Sequence, residues 1–240
     1  MRIDVWSDYA CPFCYIGKRR LEHALSQFAG REQVEVVFRS FQLDPSARTD
    51  ETRDIHEMLA GKYGMTRDKA KAMNAQLAEQ AQSVGLEFNF DQVVPTNTFD
   101  AHRLSHYAKT VGKAPEISER LLRAYFTDGV NIGDREVLIS LAAEVGLDTA
   151  EAKAALDSGA YADEVNGDIA AAQSLNVTGV PFFVFNNKYA ISGAQPGPVF
   201  SEVLDTVWAE EQKAPALQVV GQPKAGADAA EGCDDGSCSI

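Results

Sequence analysis

Two cysteines, Cys11 and Cys14, are separated by two residues near the start of the chain, in the stretch SDYACPFCYIGKRRLE. A Cys-x-x-Cys pair is either half of a zinc site or a redox-active dithiol. Zinc needs further ligands at suitable spacing, but the other cysteines, Cys233 and Cys238, are separated by four residues near the end of the chain. The sequence therefore favours a redox dithiol with no metal, and a zinc site assembled from distant pieces is the weaker alternative.

The position of the pair suits redox chemistry, because an apolar, strand-like run precedes it and a helical pattern follows. The thiolate is the nucleophile in thiol–disulfide exchange, and the unpaired N–H groups and partial positive charge of a helix N-terminus favour that anion at Cys11. Cys14, one turn further along, is placed to resolve a mixed disulfide. Pro12 fits a first turn, where its missing N–H costs nothing. Asp8 is expected to cap this helix or to orient its first turn.

A second feature is a proline at the start of a predicted strand. Pro181, in TGVPFF, directly precedes an aromatic and β-branched stretch. A proline removes a donor from a strand ladder unless it stands at the strand start, often after a cis peptide bond. On its own the residue indicates no more than a strand start, and its meaning depends on the rest of the pattern.

The elements needed to position these residues lie at the two ends of the chain. Residues 1–48 predict a β-α-β unit, with strands in RIDVWS and VEVVFRSFQL. Residues 176–212 predict two strands, in FFVF and YAISG, joined by a tight turn at Asn186-Asn187-Lys188 and followed by a helix. Together the two blocks contain the elements of one small α/β domain that is discontinuous in sequence.

The residues between these blocks have a different texture. Residues 49–175 show helical periodicity, with caps such as Asp54 and Asp134, and predict six or seven helices and no strand. This segment is expected to form a helical insertion domain. Residues 213–240 are rich in Ala, Gly and Pro and predict a flexible C-terminal tail that carries the Cys-x4-Cys pair.

Composition and charge exclude several classes of partner. The chain has 240 residues and a formal net charge of −13, so no basic stripe is available to neutralise nucleic-acid phosphates or an anionic membrane. No run approaches the roughly 18 apolar residues of a membrane span. No signal-peptide pattern precedes the first predicted strand. We therefore expect a cytoplasmic protein, in which four cysteines serve redox chemistry or metal binding rather than structural disulfides.

Four stretches together resemble the DsbA family of thioredoxin-fold proteins: SDYACPFCYIGKRRLE, NTFDAHRL, YFTDGVNIGDREVL and VTGVPFFVFNNKYAISGAQ. The resemblance covers about residues 2–210 and is strongest to the FrnE-type branch of dithiol-disulfide isomerases or oxidoreductases. It implies an α/β fold, with a thioredoxin-like four-stranded mixed sheet of order 2-1-3-4 and a large all-helical insertion between strands 2 and 3. It also implies a cis bond at Val180–Pro181 that faces Cys11, where the backbone aligns the substrate chain.

The residues between the thiols depart from the family pattern. Periplasmic members carry a histidine between their cysteines, whereas this chain has Pro12 and Phe13. Phe13 has no donor for Cys11, so we expect a less stabilised thiolate and a lower reduction potential than in strongly oxidising relatives. That favours isomerase or reductase work over net oxidation. Phe13 is also expected to contact substrate, together with Val180 and Pro181.

These inferences predict an enzyme that exchanges disulfides in disulfide-containing or unfolded proteins. No cofactor is expected beyond the redox-active disulfide itself, with glutathione or another thiol reductant to recycle it. One alternative is a glutathione-dependent isomerase or transferase of small aromatic substrates, although such relatives usually carry a serine or a single cysteine at this place. Another is a metal-binding or holdase module.

The C-terminal cysteines are either incidental thiols or an auxiliary redox pair that exchanges with Cys11 and Cys14. From Lys213 to Cys233 there are 20 residues, which span about 25 Å as a flexible chain. A compact body of this length has a radius of gyration of about 18 Å. The tail is therefore long enough to reach the dithiol, and we expect Cys233 and Cys238 to act as the auxiliary pair.

Two histidines offer a possible metal-binding spacing. His102 and His106 are four residues apart on a predicted helix, but a packed or solvated helix face is the better explanation because no carboxylate pattern accompanies them. Asn97, His102 and Arg103 belong to the family-like stretch NTFDAHRL and are candidates to line a cleft under the insertion.

Overall fold

A computed structural model describes residues 1–213. The predicted tail, with Cys233 and Cys238, lies outside the described residues. The four strands form one mixed sheet of order β2-β1-β3-β4, in which β1 pairs parallel with β2 and antiparallel with β3, and β3 pairs antiparallel with β4. This is the predicted order. The strands are β1 (Arg2–Ser7), β2 (Glu35–Ser40), β3 (Phe182–Phe185) and β4 (Tyr189–Ser192).

Two helices from opposite ends of the chain pack together beside the sheet. α1 (Pro12–Gln27) connects β1 to β2, and α9 (Gly197–Lys213) follows the hairpin and contacts α1. Apolar side chains of β1, β3 and both helices form one buried cluster, so the residues before and after the helical block complete a single core. Its fully buried members include Ile3, Phe183, Phe185, Phe200 and Leu204.

Seven α-helices lie between β2 and β3, and a short 3-10 helix (Arg31–Gln33) precedes β2. Asp54 and Asp134 accept hydrogen bonds from main-chain N–H groups of the next turn, and so cap their helices as predicted. The helix Ala114–Arg123, labelled α5 below, runs directly into a π-helical turn (Ala124–Asp128). The helices are α2 (Ile55–Tyr63), α3 (Arg67–Gln82), α4 (Phe99–Thr110), α5 (Ala114–Arg123), α6 (Arg135–Glu144), α7 (Thr149–Ser158) and α8 (Ala162–Ser174).

The helix that follows the first cysteine belongs to two cores at once. Tyr15 and Ile16 of α1 pack into the apolar cluster of the helical block, while Leu21 and Ala24 pack against the sheet. Because α1 is shared in this way, the start of the helix lies at the junction between the sheet and the helical block. No helix within residues 1–213 is long and apolar enough to cross a bilayer.

Candidate active site

The two thiols stand at the N-terminus of α1. Cys11 is the N-cap residue, in an extended conformation, and Pro12 occupies the first turn. Both cysteines are free thiols and only 3% exposed. The N-terminal N–H groups of a helix attract a nearby anion, and the local fold places the Cys11 sulfur at this end of α1.

Asp8 does not cap this helix, so the capping half of the prediction for this residue is wrong. The N-cap of α1 has no side-chain hydrogen bond, and the main-chain oxygen of Asp8 accepts from the Cys11 N–H at 3.1 Å. The carboxylate instead accepts from the Leu43 N–H at 2.7 Å and lies 3.3 Å from Nε2 of His102. The buried Asp8 therefore ties the turn before α1 to the segment after β2 and to α4.

The loop before β3 meets the first thiol. The Val180–Pro181 peptide bond is cis, as the resemblance implied, and the Cys11 thiol donates to the Val180 carbonyl oxygen at 3.4 Å. Gly17 allows this approach, because a Cβ there would stand 3.0 Å from Cγ of Pro181. The main-chain N–H of Val180 has no hydrogen-bond acceptor among residues 1–213, which leaves it available to a substrate chain.

The second thiol has a less favourable environment for ionisation than a free cysteine. Burial raises the pKa of Cys14 well above its ordinary value, and the neighbouring Cys11 raises it further. The Ser7 side chain and the Asp8 main chain lower the pKa of Cys14, but by less. At neutral pH Cys14 therefore holds its proton, which suits a residue that attacks only after a mixed disulfide has formed.

A cleft opens beside Cys11 and extends under the first two helices of the helical block. Its volume is about 530 Å³, and Cys11, Pro12, Phe13 and Val180 form the wall nearest the thiols. Phe13, placed between the cysteines, is 41% exposed. The opposite wall is mostly apolar and is formed by side chains of α2, α3 and the turn between them, including Ile55, Met58, Leu59, Tyr63, Met65 and Met73.

Sequence reasoning missed this wall, although a signal was present. Three of the four methionines in the chain fall within residues 58–73. Helical periodicity assigns such residues to a core, and only the packed structure shows that α2 and α3 leave them at an opening. The predicted candidates Asn97 and Arg103 do not line the cleft, because their side chains bond to carbonyl oxygens of neighbouring segments.

The two histidines of α4 are also accounted for without a metal. His102 lies against Asp8, whereas His106 lies 3.1 Å from the Ser40 hydroxyl and 3.2 Å from Asp168. His102 is 3% exposed and lines a separate cavity rather than the cleft beside Cys11. Within residues 1–213, no three His, Cys, Asp or Glu side chains are grouped as metal ligands would be.

A family model described as DSBA-like thioredoxin domain matches residues 2–205. The chain belongs to this family. A solved structure of a probable DsbA oxidoreductase from Streptomyces coelicolor is 42% identical, with a TM-score of 0.84 over 97% of this chain and 100% of that one. The uncharacterized protein YwbO of Bacillus subtilis is 32% identical over 217 residues, 89% of this chain and 98% of the relative. The DsbA-like thiol–disulfide oxidoreductase fold is thus established for this chain.

Two more distant structures share the fold alone. The cytosolic disulfide reductase DsbM from Pseudomonas aeruginosa, solved with GSH, is 19% identical, with a TM-score of 0.60 over 89% of this chain and 98% of that one. A 2-hydroxychromene-2-carboxylate isomerase is 15% identical, with a TM-score of 0.67 over 90% of this chain and 100% of that one. Proteins with this DsbA-like fold are therefore named for different reactions. The fold alone does not fix the activity, which depends on the residues of the site.

Proposed function

We propose that this protein catalyses thiol–disulfide exchange in protein or peptide substrates through Cys11 and Cys14. The observation that carries the proposal is the pairing of two free thiols at a helix N-terminus with the Val180–Pro181 loop, 3.4 Å from Cys11. The Val180 N–H has no acceptor among the described residues, so an extended substrate can pair with this backbone while its sulfur meets Cys11.

The reaction balances without a further cofactor. The Cys11 thiolate attacks one sulfur of the substrate disulfide, and the other substrate sulfur leaves as a thiolate that takes a proton. Cys14 then loses its proton and attacks Cys11, which releases the second substrate thiol and leaves a Cys11–Cys14 disulfide. The substrate is reduced by two electrons and the protein is oxidised by two. In isomerisation a substrate thiol, rather than Cys14, resolves the mixed disulfide.

Insulin reduction and refolding of scrambled ribonuclease test this proposal. Cys11→Ser should abolish both activities, because the thiol that attacks the substrate disulfide is removed. Cys14→Ser should accumulate mixed disulfides and lose insulin reduction, since the resolving step needs the second thiol. A Cys11→Ser protein with full activity would exclude the mechanism.

We assign the net direction to reduction or isomerisation in the cytoplasm, with glutathione or another thiol reductant regenerating the dithiol. The half-exposed Phe13 offers the Cys11 thiolate no hydrogen bond, and a poorly stabilised thiolate makes a weak oxidant. Fold-level similarity to a cytosolic disulfide reductase solved with GSH supports the same assignment. A dithiol reduction potential of about −120 mV, the value of a strong oxidant, would contradict the assignment to reduction or isomerisation.

The Cys233 and Cys238 pair enters the proposal as an auxiliary redox couple. It lies outside the described residues, and its support is the sequence alone: two thiols separated by four residues at a distance along the chain that can reach Cys11. In this role the pair would pass electrons to the Cys11–Cys14 disulfide by exchange.

A glutathione-dependent isomerase of small aromatic molecules is the second candidate. The cleft supports this candidate because its volume, about 530 Å³, is that of a pocket for a small ligand. An isomerase of this kind needs no second thiol, so Cys14→Ser should retain full isomerisation with glutathione present. Loss of insulin reduction in the same variant, together with no isomerisation of small aromatic molecules by the wild type, would remove this candidate.

A further inference from the structure

Most of the exposed large apolar side chains in the described part of the molecule surround one opening. Six such side chains within residues 1–213 are between 41% and 60% exposed. Four of them, Phe13, Leu43, Tyr63 and Met73, line the cleft beside Cys11. Apolar surface in water forgoes the free energy that its burial would contribute, so a group of this size indicates a binding surface.

The opposite wall of the cleft, formed by α2, α3 and the turn between them, is rich in methionine. Met58, Met65 and Met73 all line it, and these are three of the four methionines in the chain. Methionine is unbranched, has three rotatable bonds and carries a polarizable sulfur, so it adapts to partners of different shape. Such a wall suits apolar side chains of varied shape better than a single rigid ligand.

The cleft is continuous with the thiol site. Cys11, Pro12 and Val180 belong to both, so a chain that pairs with the Val180 backbone brings the neighbour of its cysteine to the mouth of the cleft. The volume of about 530 Å³ is more than one side chain needs, so the residue beside the cysteine can enter without displacing the cleft walls.

Within residues 1–213, the three cationic side chains that line the cleft each lie beside a carboxylate. Arg48 bonds to Asp50 at 2.8 Å, Arg53 bonds to Glu51 at 3.0 Å, and Lys62 lies 3.8 Å from Asp44. Exposed pairs of this kind leave little net charge with which to select a ligand. Selection at the cleft therefore depends on its apolar walls.

We propose that the cleft selects disulfide-bonded polypeptides that carry a bulky apolar residue next to the reacting cysteine. This inference rests on the proposed disulfide exchange and adds its substrate class. A polar residue next to the cysteine gains no binding energy from the apolar side chains of α2 and α3. A substrate with such a residue should therefore react more slowly, although its disulfide is the same.

The test uses reduced full-length protein and two short peptides, each closed by an internal disulfide. The peptides differ only in the residue that follows the first cysteine, Phe in one and Ser in the other. Oxidation of the Cys11–Cys14 dithiol is followed by acid quenching and thiol alkylation. The Phe peptide should react about tenfold faster, the discrimination that an apolar pocket typically provides.

A matched pair of double variants assigns the preference to the cleft. Tyr63→Ser with Met73→Ser should bring the ratio of the two rates close to one. Val111→Ser with Leu175→Ser removes two side chains of similar exposure, 49% and 50%, outside the cleft, and should leave the ratio unchanged. Circular dichroism of the wild type and of both double variants checks that they are folded.

Two results would overturn the inference, and both differ from failure of the proposed function. Equal wild-type rates with the two peptides, or an equal fall of the ratio in both double variants, would show that the cleft does not select. Disulfide exchange through Cys11 would survive either result. A wild-type protein that reacts with neither peptide, and not with glutathione disulfide either, would contradict the proposed exchange itself and the inference with it.

Discussion

Cys11 and Cys14 are equally buried, and their surroundings set them apart. Cys11 occupies the N-cap position and lines the cleft, and its thiol contacts the Val180 carbonyl oxygen, where we propose that a substrate sulfur approaches. Cys14 lies one turn deeper, and burial together with Cys11 raises the pKa of its thiol. The environment of each sulfur thus supports the order of events in the proposal: attack by Cys11, then resolution by Cys14.

Phe13→His should make the dithiol more oxidising. A histidine between the cysteines supplies a donor and a positive charge to the Cys11 thiolate, which stabilises the reduced state. Equilibration with glutathione should show a rise of roughly 30 mV for each tenfold gain in thiolate stability. Phe13→Leu is the control, since it removes the ring without adding a donor. Equal potentials in the two variants would mean that this position does not set the redox poise.

Ser7→Ala should slow the resolving step. Burial keeps the pKa of Cys14 high and the Ser7 hydroxyl lowers it, so removal of this hydroxyl leaves less Cys14 thiolate at any given pH. The lifetime of the mixed disulfide, followed by rapid quenching from pH 6 to 10, should lengthen severalfold at neutral pH, with its profile displaced to higher pH. Ser118→Ala removes a different hydroxyl, a buried one that contacts Tyr9, and should keep the wild-type profile. Coincident profiles for Ser7→Ala and wild type would contradict the role of Ser7.

At the scale of elements, α1 joins the sheet to the helical block through a polar clamp as well as through apolar packing. Glu119 of α5 accepts hydrogen bonds from Tyr15 at 2.6 Å, from Lys18 at 2.5 Å and from Arg19, all on α1. Burial alone would raise the pKa of Glu119, but these three donors together lower it to about 2. The clamp holds α1, the helix that follows Cys11, against α5 of the helical block.

Glu119→Gln should lower the free energy of unfolding by about 1–2 kcal/mol at pH 7. This is the usual contribution of hydrogen bonds to a charged group, reduced because Glu119 is partly exposed to solvent. The folded-state pKa of Glu119 lies below its ordinary value, so its stabilisation is present above the unfolded-state pKa and is lost as pH falls through about 2. Urea unfolding from pH 7 to pH 2 should therefore show the difference from wild type closing in acid. Glu116→Gln, on the exposed face of the same helix, should differ little from wild type throughout. A pH-independent difference for Glu119→Gln would show that packing rather than charge is lost.

Local signals predicted the elements well, because each depends on a few neighbouring residues. Asn186 and Asn187 both adopt positive φ, at 49° and 54°, as a tight hairpin turn requires. Asp54 and Asp134 cap helices because their side chains reach N–H groups two or three residues ahead.

The contacts of the site were harder to predict, because they join residues far apart in the sequence. Asp8 satisfies the spacing of a cap, yet its carboxylate bonds to Leu43 and His102 instead. Met73 has the helical spacing of a core residue, yet it is 44% exposed at the cleft. Periodicity shows that a residue faces the interior of a fold, but it does not show where two packed elements leave a gap.

At the scale of the whole molecule, the site exists only where the two ends of the sequence and the helical block meet. Cys11 follows the first strand, Val180 precedes the third, and Met73 belongs to the helices between them. The strand order places β3 directly beside β1, which brings the Val180–Pro181 loop to the start of α1. The thiols, the backbone that we propose to pair with substrate and the apolar wall of the cleft are thus supplied by three separate stretches of chain.

Removal of residues 231–240 should slow recycling of the oxidised protein while leaving the dithiol intact. The proposal assigns Cys233 and Cys238 to electron transfer into the Cys11–Cys14 disulfide, so their loss removes an intramolecular reductant. Turnover measured with glutathione and with a peptide disulfide should fall, and a Cys233→Ser, Cys238→Ser double variant should behave in the same way. Unchanged turnover in both proteins would return these cysteines to incidental thiols.

The central claim is that Cys11 bonds covalently to the substrate sulfur and that Cys14 releases it. The most direct measurement is mass spectrometry of a Cys14→Ser protein in which Cys233 and Cys238 are also replaced by serine, after mixing with a disulfide-bonded peptide. We predict an adduct of one peptide per protein that maps to Cys11 and is released by a thiol reductant, with none when Cys11→Ser is added to the same protein. An adduct at another residue, or no adduct while wild-type protein reduces the same peptide, would contradict the account.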